Sequence, residues 1–435
     1  MRILKVMTAL ALVVVACGGT DDEGVATSGG SVDATAPTTP PGVTLPPADD
    51  VPLQVFTTSG GQSGNRFFAG DAALDEAPLE VRLEATPAWI VAAPVADRIV
   101  WVVADVDGNV SAYAESVGEV EPFPIGEVTL PPGAPPTVIV GGSAVSIFQP
   151  SGAAPLAGHG LVAGKPVVIA EGGAVFVGAE PVSGVRALID GRIVVSGRDE
   201  VAFLAEPTER LTHGVLGDKI ESESIVVLAP GGATVQAVLD APGDAVFEAL
   251  SPMWADVTGD GVEEVIATAS DGTGGASLTV FSAAGDLVAV APPIGTGNRW
   301  LNQLAAGPVG PNGGIEVIEV RTPHIGGIVR WYRLADGDLT LQAGAERYST
   351  HRIGSRNLDQ GIVVDANGDG RPDVVVPTQD QQTLVALTRT PDESEVVSTT
   401  SLGATLATNI AAASRGDGSA AVAVGTDDGR LLIWP

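Results

Sequence analysis

The stretch Asp365-Ala366-Asn367-Gly368-Asp369-Gly370-Arg371-Pro372-Asp373 runs directly into Val374-Val375-Val376, joining a calcium-ligand spacing to a β-strand. Oxygens at positions 1, 3 and 5 (Asp365, Asn367, Asp369) converge on one point only if the chain curls tightly, and Gly370 at position 6 permits that curl. The backbone carbonyl of Arg371 and the carboxylate of Asp373 complete a set suited to a hard cation. An EF-hand needs a bidentate Glu at position 12 and flanking helices. Position 12 here is Val376, inside an apolar run that reads as a buried strand. The spacing therefore predicts a calcium loop within a β-hairpin.

The same layout recurs at Asp256-Val257-Thr258-Gly259-Asp260-Gly261-Val262-Glu263-Glu264, again followed by an apolar strand, Val265-Ile266-Ala267. Its ligands would be Asp256, Thr258, Asp260, the carbonyl of Val262, and Glu264, giving two expected Ca2+ sites. Two degenerate copies, Pro308 to Glu316 and Ala413 to Ala421, keep the frame and have lost most ligands. First positions 256, 308, 365 and 413 recur roughly every 50 residues. Each repeat reads as a short apolar strand, the loop, a second strand, a turn, a third strand and a weaker fourth. That is the pattern of a propeller blade.

These loops and their strands resemble the FG-GAP or VCBS repeats of bacterial proteins, whose blades also occur in the integrin α head. The motif covers residues 250 to 435; from 80 to 250 only the strand rhythm continues, as at Ile99 to Ala104 and Val110 to Ala114. The resemblance implies an all-β fold, a β-propeller of four-stranded antiparallel blades with calcium loops on one face. We expect about seven blades, with six to eight allowed. The C-terminus ends on what reads as a third strand, Leu431 to Trp434. An N-terminal strand, Leu79 to Ala85, is expected to complete that last blade and close the ring.

Composition supports many short strands joined by turns: Gly 56, Pro 32 and 45% hydrophobic residues with only 4% aromatic. Arg2 and Lys5 precede an apolar stretch from Val6 to Ala16, which reads as an export signal over residues 1–16. Cys17, the only cysteine, follows as in a bacterial lipobox and is the expected lipidation site. Residues 17–55 read as a flexible Gly/Ser/Thr/Pro-rich tether, and 56–435 as the propeller. The expected location is exported and membrane-anchored, facing the periplasm or cell exterior. One thiol rules out intramolecular disulfides, and a net charge of −31 argues against nucleic acid as a partner.

If the calcium loops join first to second strands, the segments leading into first strands lie on the opposite face. Arg299, Trp300, His324, His351, Arg356 and Asp359 collect there, in a chain poor in Arg, His and Trp. They are the candidate ligand site at a channel mouth, for a glycan or an envelope protein. No HExxH or GxSxG motif supports a specific mechanism, so no catalytic residue is assigned. A non-catalytic binding module is the expectation. The alternative is a carbohydrate- or polyol-active enzyme, a lyase or dehydrogenase, using the same polar cluster.

Overall fold

A computed structural model describes residues 40–46, 51–116 and 118–435. The signal segment, Cys17 and most of the tether lie outside these residues. Among the described residues the fold is all-β apart from one 3₁₀ turn, Pro311–Gly313, and no helix is long and apolar enough to cross a membrane.

The strands form antiparallel meanders that follow one another along the chain. The first is Pro87–Val95, Arg98–Asp105, Val110–Ser116 and Glu119–Pro122. Later ones include Met253–Ala255 with Glu264–Asp271, Gly275–Phe281 and Leu287–Val290, and Ile362–Asp365 with Asp373–Pro377, Thr383–Arg389 and Ser394–Ser401. Eight such meanders can be followed, the fourth and fifth joined into one nine-stranded sheet by Val246–Phe247.

Strand sequence matches position in each meander. Middle strands such as Asp373–Pro377 and Ala420–Thr426 are buried along their whole length, because sheets cover both of their faces; they read as continuous apolar runs. Fourth strands such as Val235–Asp240 face solvent on one side and alternate instead.

Each large apolar cluster is shared by two successive meanders. Ile90, Trp101 and Val103 of the first pack with Ala421, Ala423 and Ile433 of the eighth, so the packing returns to its start. Equivalent clusters join the seventh to the eighth and the fourth to the fifth.

The N-terminal segment enters this packing three times. Gln54–Phe56 pairs antiparallel with Val138–Gly141 and supplies the second meander with a strand. Phe67–Asp71 lies parallel to Ile362–Asp365. Leu79–Arg82 pairs antiparallel with Arg430–Trp434, the pairing expected from the sequence. Within the stretch read as tether, Gly42 bridges Ser151, and Val43, Leu45 and Leu53 pack beside Val55. Hydrophobic residues spaced among Pro and Gly dock there without forming a long strand, which hid them from a composition reading.

Leu74, from this segment, is 2% exposed in the core between the seventh and eighth meanders. Leu74→Ala should therefore cost about 2–5 kcal/mol in chemical denaturation. A change within error would mean that the segment is not part of the core.

Candidate functional site

The two intact loops share one internal frame. In the first, Asp256 accepts from the N–H groups of Gly259 (2.6 Å) and Gly261 (2.9 Å). In the second, Asp365 accepts from Gly368 and Gly370, both at 2.8 Å. Gly368 and Gly370 take φ of 72° and 81°, a region costly for other residues, which is why the motif carries glycine at both positions. The position-9 carboxylate then accepts from the N–H of position 2: Glu264 from Val257 at 2.9 Å, Asp373 from Ala366 at 3.1 Å.

These position-9 groups are electrostatically unresolved. Asp373 is fully buried and its Oδ1 has no hydrogen-bond partner. Burial, with lesser contributions from the Asp369 and Asp365 carboxylates, pushes it up to about 6 against the opposing pull of the Ala366 N–H and the Thr388 hydroxyl. Burial, with Asp260 and Asp256, likewise raises Glu264. In the degenerate copy the same position is Glu316, and two guanidinium groups neutralise it, Arg333 at 2.8 Å and Arg389 at 3.2 Å. No such ion pair is found for Glu264 or Asp373 among the described residues. Asp369 turns to the Arg371 guanidinium at 2.7 Å, and no group of three or more His, Cys, Asp and Glu is gathered as ligands among the described residues.

On the opposite face, the six candidate ligand residues fall into two groups. Trp300 is buried, donates through Nε1 to the carbonyl of Glu248 (2.7 Å) and meets the His351 ring at 4.9 Å. His351 is buried as well; its Nε2 bonds the Ser355 carbonyl at 2.8 Å and its Nδ1 has no partner. Burial, helped by His324, lowers it to about 4. His324 is half-buried with its ring 5.7 Å from His351, and Arg299 is exposed, its guanidinium donating to the neighbouring Asn298 carbonyl.

Arg356 and Asp359 belong elsewhere. Arg356 bridges Asp190 (2.8 Å) and Asp218 (2.7 Å). Asp359 is buried between Arg192 at 2.6 Å and Arg66 at 3.5 Å, and accepts from Thr58 at 2.6 Å. Burial would raise its pKa, but the two guanidinium groups hold it below the usual carboxylate range.

Arg66 and Thr58 come from the N-terminal segment, which follows the inner strands in turn. Gln62 bonds Leu161 and Val195, Ser63 bonds Trp254, Asn65 bonds Ala306, and Arg66 bonds Val363 and Ile410. No sequence signal marks this role, because Thr58 to Arg66 is polar and precedes the first apolar strand pattern.

The sequence also missed His213 and Glu248, paired at 2.7 Å near His324 and Trp300. Beside them Glu221 is buried and pushed up to about 9, by burial first and then by Glu248, Asp218 and Asp190.

Two open grooves cross this face. One of about 400 Å³ is lined by His324, His351, Ile353 and Gln379. One of about 450 Å³ is lined by Trp89, Arg356 and Asn357, and both share Arg352 and Asp427. Ile353 in the first is 70% exposed, and Ile325, next in sequence to His324, is 58% exposed.

No family model matches the chain, and a search of curated proteins finds no relative. Solved structures do match. A europium-containing methanol dehydrogenase aligns at TM-score 0.52 and 10% identity, over 84% of this chain and 89% of that one. BamB from Moraxella catarrhalis aligns at TM-score 0.45 and 13% identity, over 82% and 97%. The shared architecture is the β-propeller.

Asp359→Ala leaves two buried guanidinium groups without their carboxylate. We expect a loss of about 3–5 kcal/mol in denaturant unfolding, and a loss below 1 kcal/mol would contradict the buried network. Glu221 carries a proton in the folded state that the unfolded chain releases above about pH 4.5. Its stabilising contribution is thus present below that pH and lost as pH rises towards about 9. Glu221→Gln should raise the melting temperature increasingly between pH 5 and 9; parallel wild-type and variant profiles would refute the assignment.

Proposed function

We propose that the chain is an exported, membrane-anchored lipoprotein of the FG-GAP or VCBS kind. Its eight meanders are the blades of one closed ring, two loops of that ring bind calcium, and the opposite face binds a partner without catalysis. The observation that carries the non-catalytic reading is the state of the polar residues on that face. Trp300, His351, Arg356 and Asp359 are engaged within the fold, and the ring's axis holds Thr58 to Arg66 of the same chain. What remains for a partner is a pair of open grooves, one of them lined by exposed Ile353, with exposed Ile325 next in sequence to its lining residue His324, a surface suited to protein contact.

Calcium is supported by the chain's own internal comparison. Glu316 meets two arginines, whereas Asp373 keeps a bare buried oxygen and Glu264 no cationic side chain. Asp256, Thr258, Asp260, Glu264 and the Val262 carbonyl would hold one ion; Asp365, Asn367, Asp369, Asp373 and the Arg371 carbonyl the other. A bound ion supplies the positive charge that the guanidinium groups supply in the degenerate copy. Lipid attachment at Cys17 would hold the ring at the envelope, and an envelope protein is the favoured partner over a glycan.

The test combines melting with capture. Calcium at a hundredfold excess over the dissociation constant should add about 2.7 kcal/mol per site relative to EDTA, and Asp373→Ala should remove part of that gain. The double variant Ile325→Asp, Ile353→Asp should melt like wild type yet lose cross-linked capture of its envelope partner. Turnover of a saccharide or polyol, lost on His324→Ala, would instead establish the enzyme reading.

A further inference from the structure

The geometry points to a calcium-operated latch: an ion in the 365–373 loop holds residues 67–76 of the N-terminal segment in the ring, and the 256–264 loop has no such role. This rests on the calcium reading above and adds what that one site controls.

The two loops have the same internal frame and different neighbours. The 256–264 loop leans on the meanders beside it: Gly197 N–H donates to Glu263 at 2.6 Å, Arg198 donates to the Gly261 carbonyl at 3.1 Å, and Gly259 faces the Ile315 side chain. The 365–373 loop carries the N-terminal segment. The Asp365 carbonyl accepts from Ala72 N–H at 2.8 Å, and the Ala366 carbonyl accepts from Leu74 N–H at 3.3 Å. Asp71 is the ladder partner of Asp365. A Cβ on Gly368 would lie 2.8 Å from Asp71 Oδ2, so this fourth carboxylate rests against the loop.

Docking of the segment therefore brings Asp71 up to a loop that holds Asp365 and the bare Oδ1 of Asp373, the charge of Asp369 being turned to Arg371. Without a cation these like charges oppose the approach; with one, the loop attracts Asp71 and fixes the two carbonyls that hold Ala72 and Leu74. Beyond Leu74 the segment has further holds, Thr400 to the Leu74 carbonyl at 2.6 Å and Trp434 to the Glu76 carbonyl at 3.0 Å. These keep the segment close when the latch is open. In the other direction the segment leads through Arg66 to the ring's axis, and along the sequence to Cys17. Calcium at this one loop thus governs how firmly the anchored end is held.

The experiment is hydrogen–deuterium exchange on the full chain in millimolar calcium and in EDTA, for wild type, Asp260→Ala, Asp369→Ala and Asp71→Asn. Calcium should slow exchange at residues 67–76 by about tenfold or more in wild type. The same slowing is expected in Asp260→Ala, and none in Asp369→Ala. Asp71→Asn, at an exposed position, should weaken the effect on 67–76 and leave the response of the 256–264 loop intact. Slowing within both loops with 67–76 unchanged would overturn the latch and leave the calcium sites standing. No response in either loop would remove the calcium reading, and the latch with it.

Discussion

Asp359 is the point on which the ring's centre depends. Its carboxylate stays charged in the interior because it is paired, and its two partners come from distant parts of the chain, Arg192 and Arg66. Arg66 in turn bonds the carbonyls of Thr58, Asp359, Gly361 and Ile410. The N-terminal segment is thereby an internal part of the packing, filling an axis whose inner strands would otherwise present unpaired backbone groups. The strands lent by Gln54–Phe56 and Leu79–Arg82 are only partly buried, and they cover the edges of Val138–Gly141 and Arg430–Trp434.

The meander divides functions by geometry. The two intact loops between first and second strands are short and repeat one frame, because position 1 satisfies two glycine N–H groups and position 9 the N–H of position 2. The other face is assembled from longer segments that differ from one meander to the next, and these can carry grooves. Buried acidic groups at position 9 are handled in two ways: Glu316 meets arginines, and Asp373 and Glu264 meet none. That contrast within one chain is independent of any relative.

The polar cluster shows how residue type alone misleads about a site. Trp300 and His351 are sparse, chemically versatile residues in consecutive strand-leading segments, and they do meet, at 4.9 Å. They meet as core: burial holds His351 near 4 and directs the indole N–H to a backbone carbonyl. Exposed Ile325 and Ile353, with nothing chemical to mark them in the sequence, stand where a partner can reach.

The sequence alone determined the all-β class, the repeat of loop and strand, and the pairing of Leu79–Arg82 with Arg430–Trp434. The class and the repeat are local facts, written in two-residue alternation, apolar runs and the Asp/Gly spacing that a tight turn requires; the pairing joins segments far apart in the chain and follows from the open edge that the last meander would otherwise leave. Tertiary structure alone decided the path of residues 54–74, the pairing of Arg66 with Asp359, and the joining of His213 and Glu248 to Trp300. Each brings together residues tens to hundreds of positions apart. Their burial and pairing follow from how successive meanders pack against one another and against the N-terminal segment, and a polar segment such as Thr58 to Arg66 carries no periodicity that could announce it.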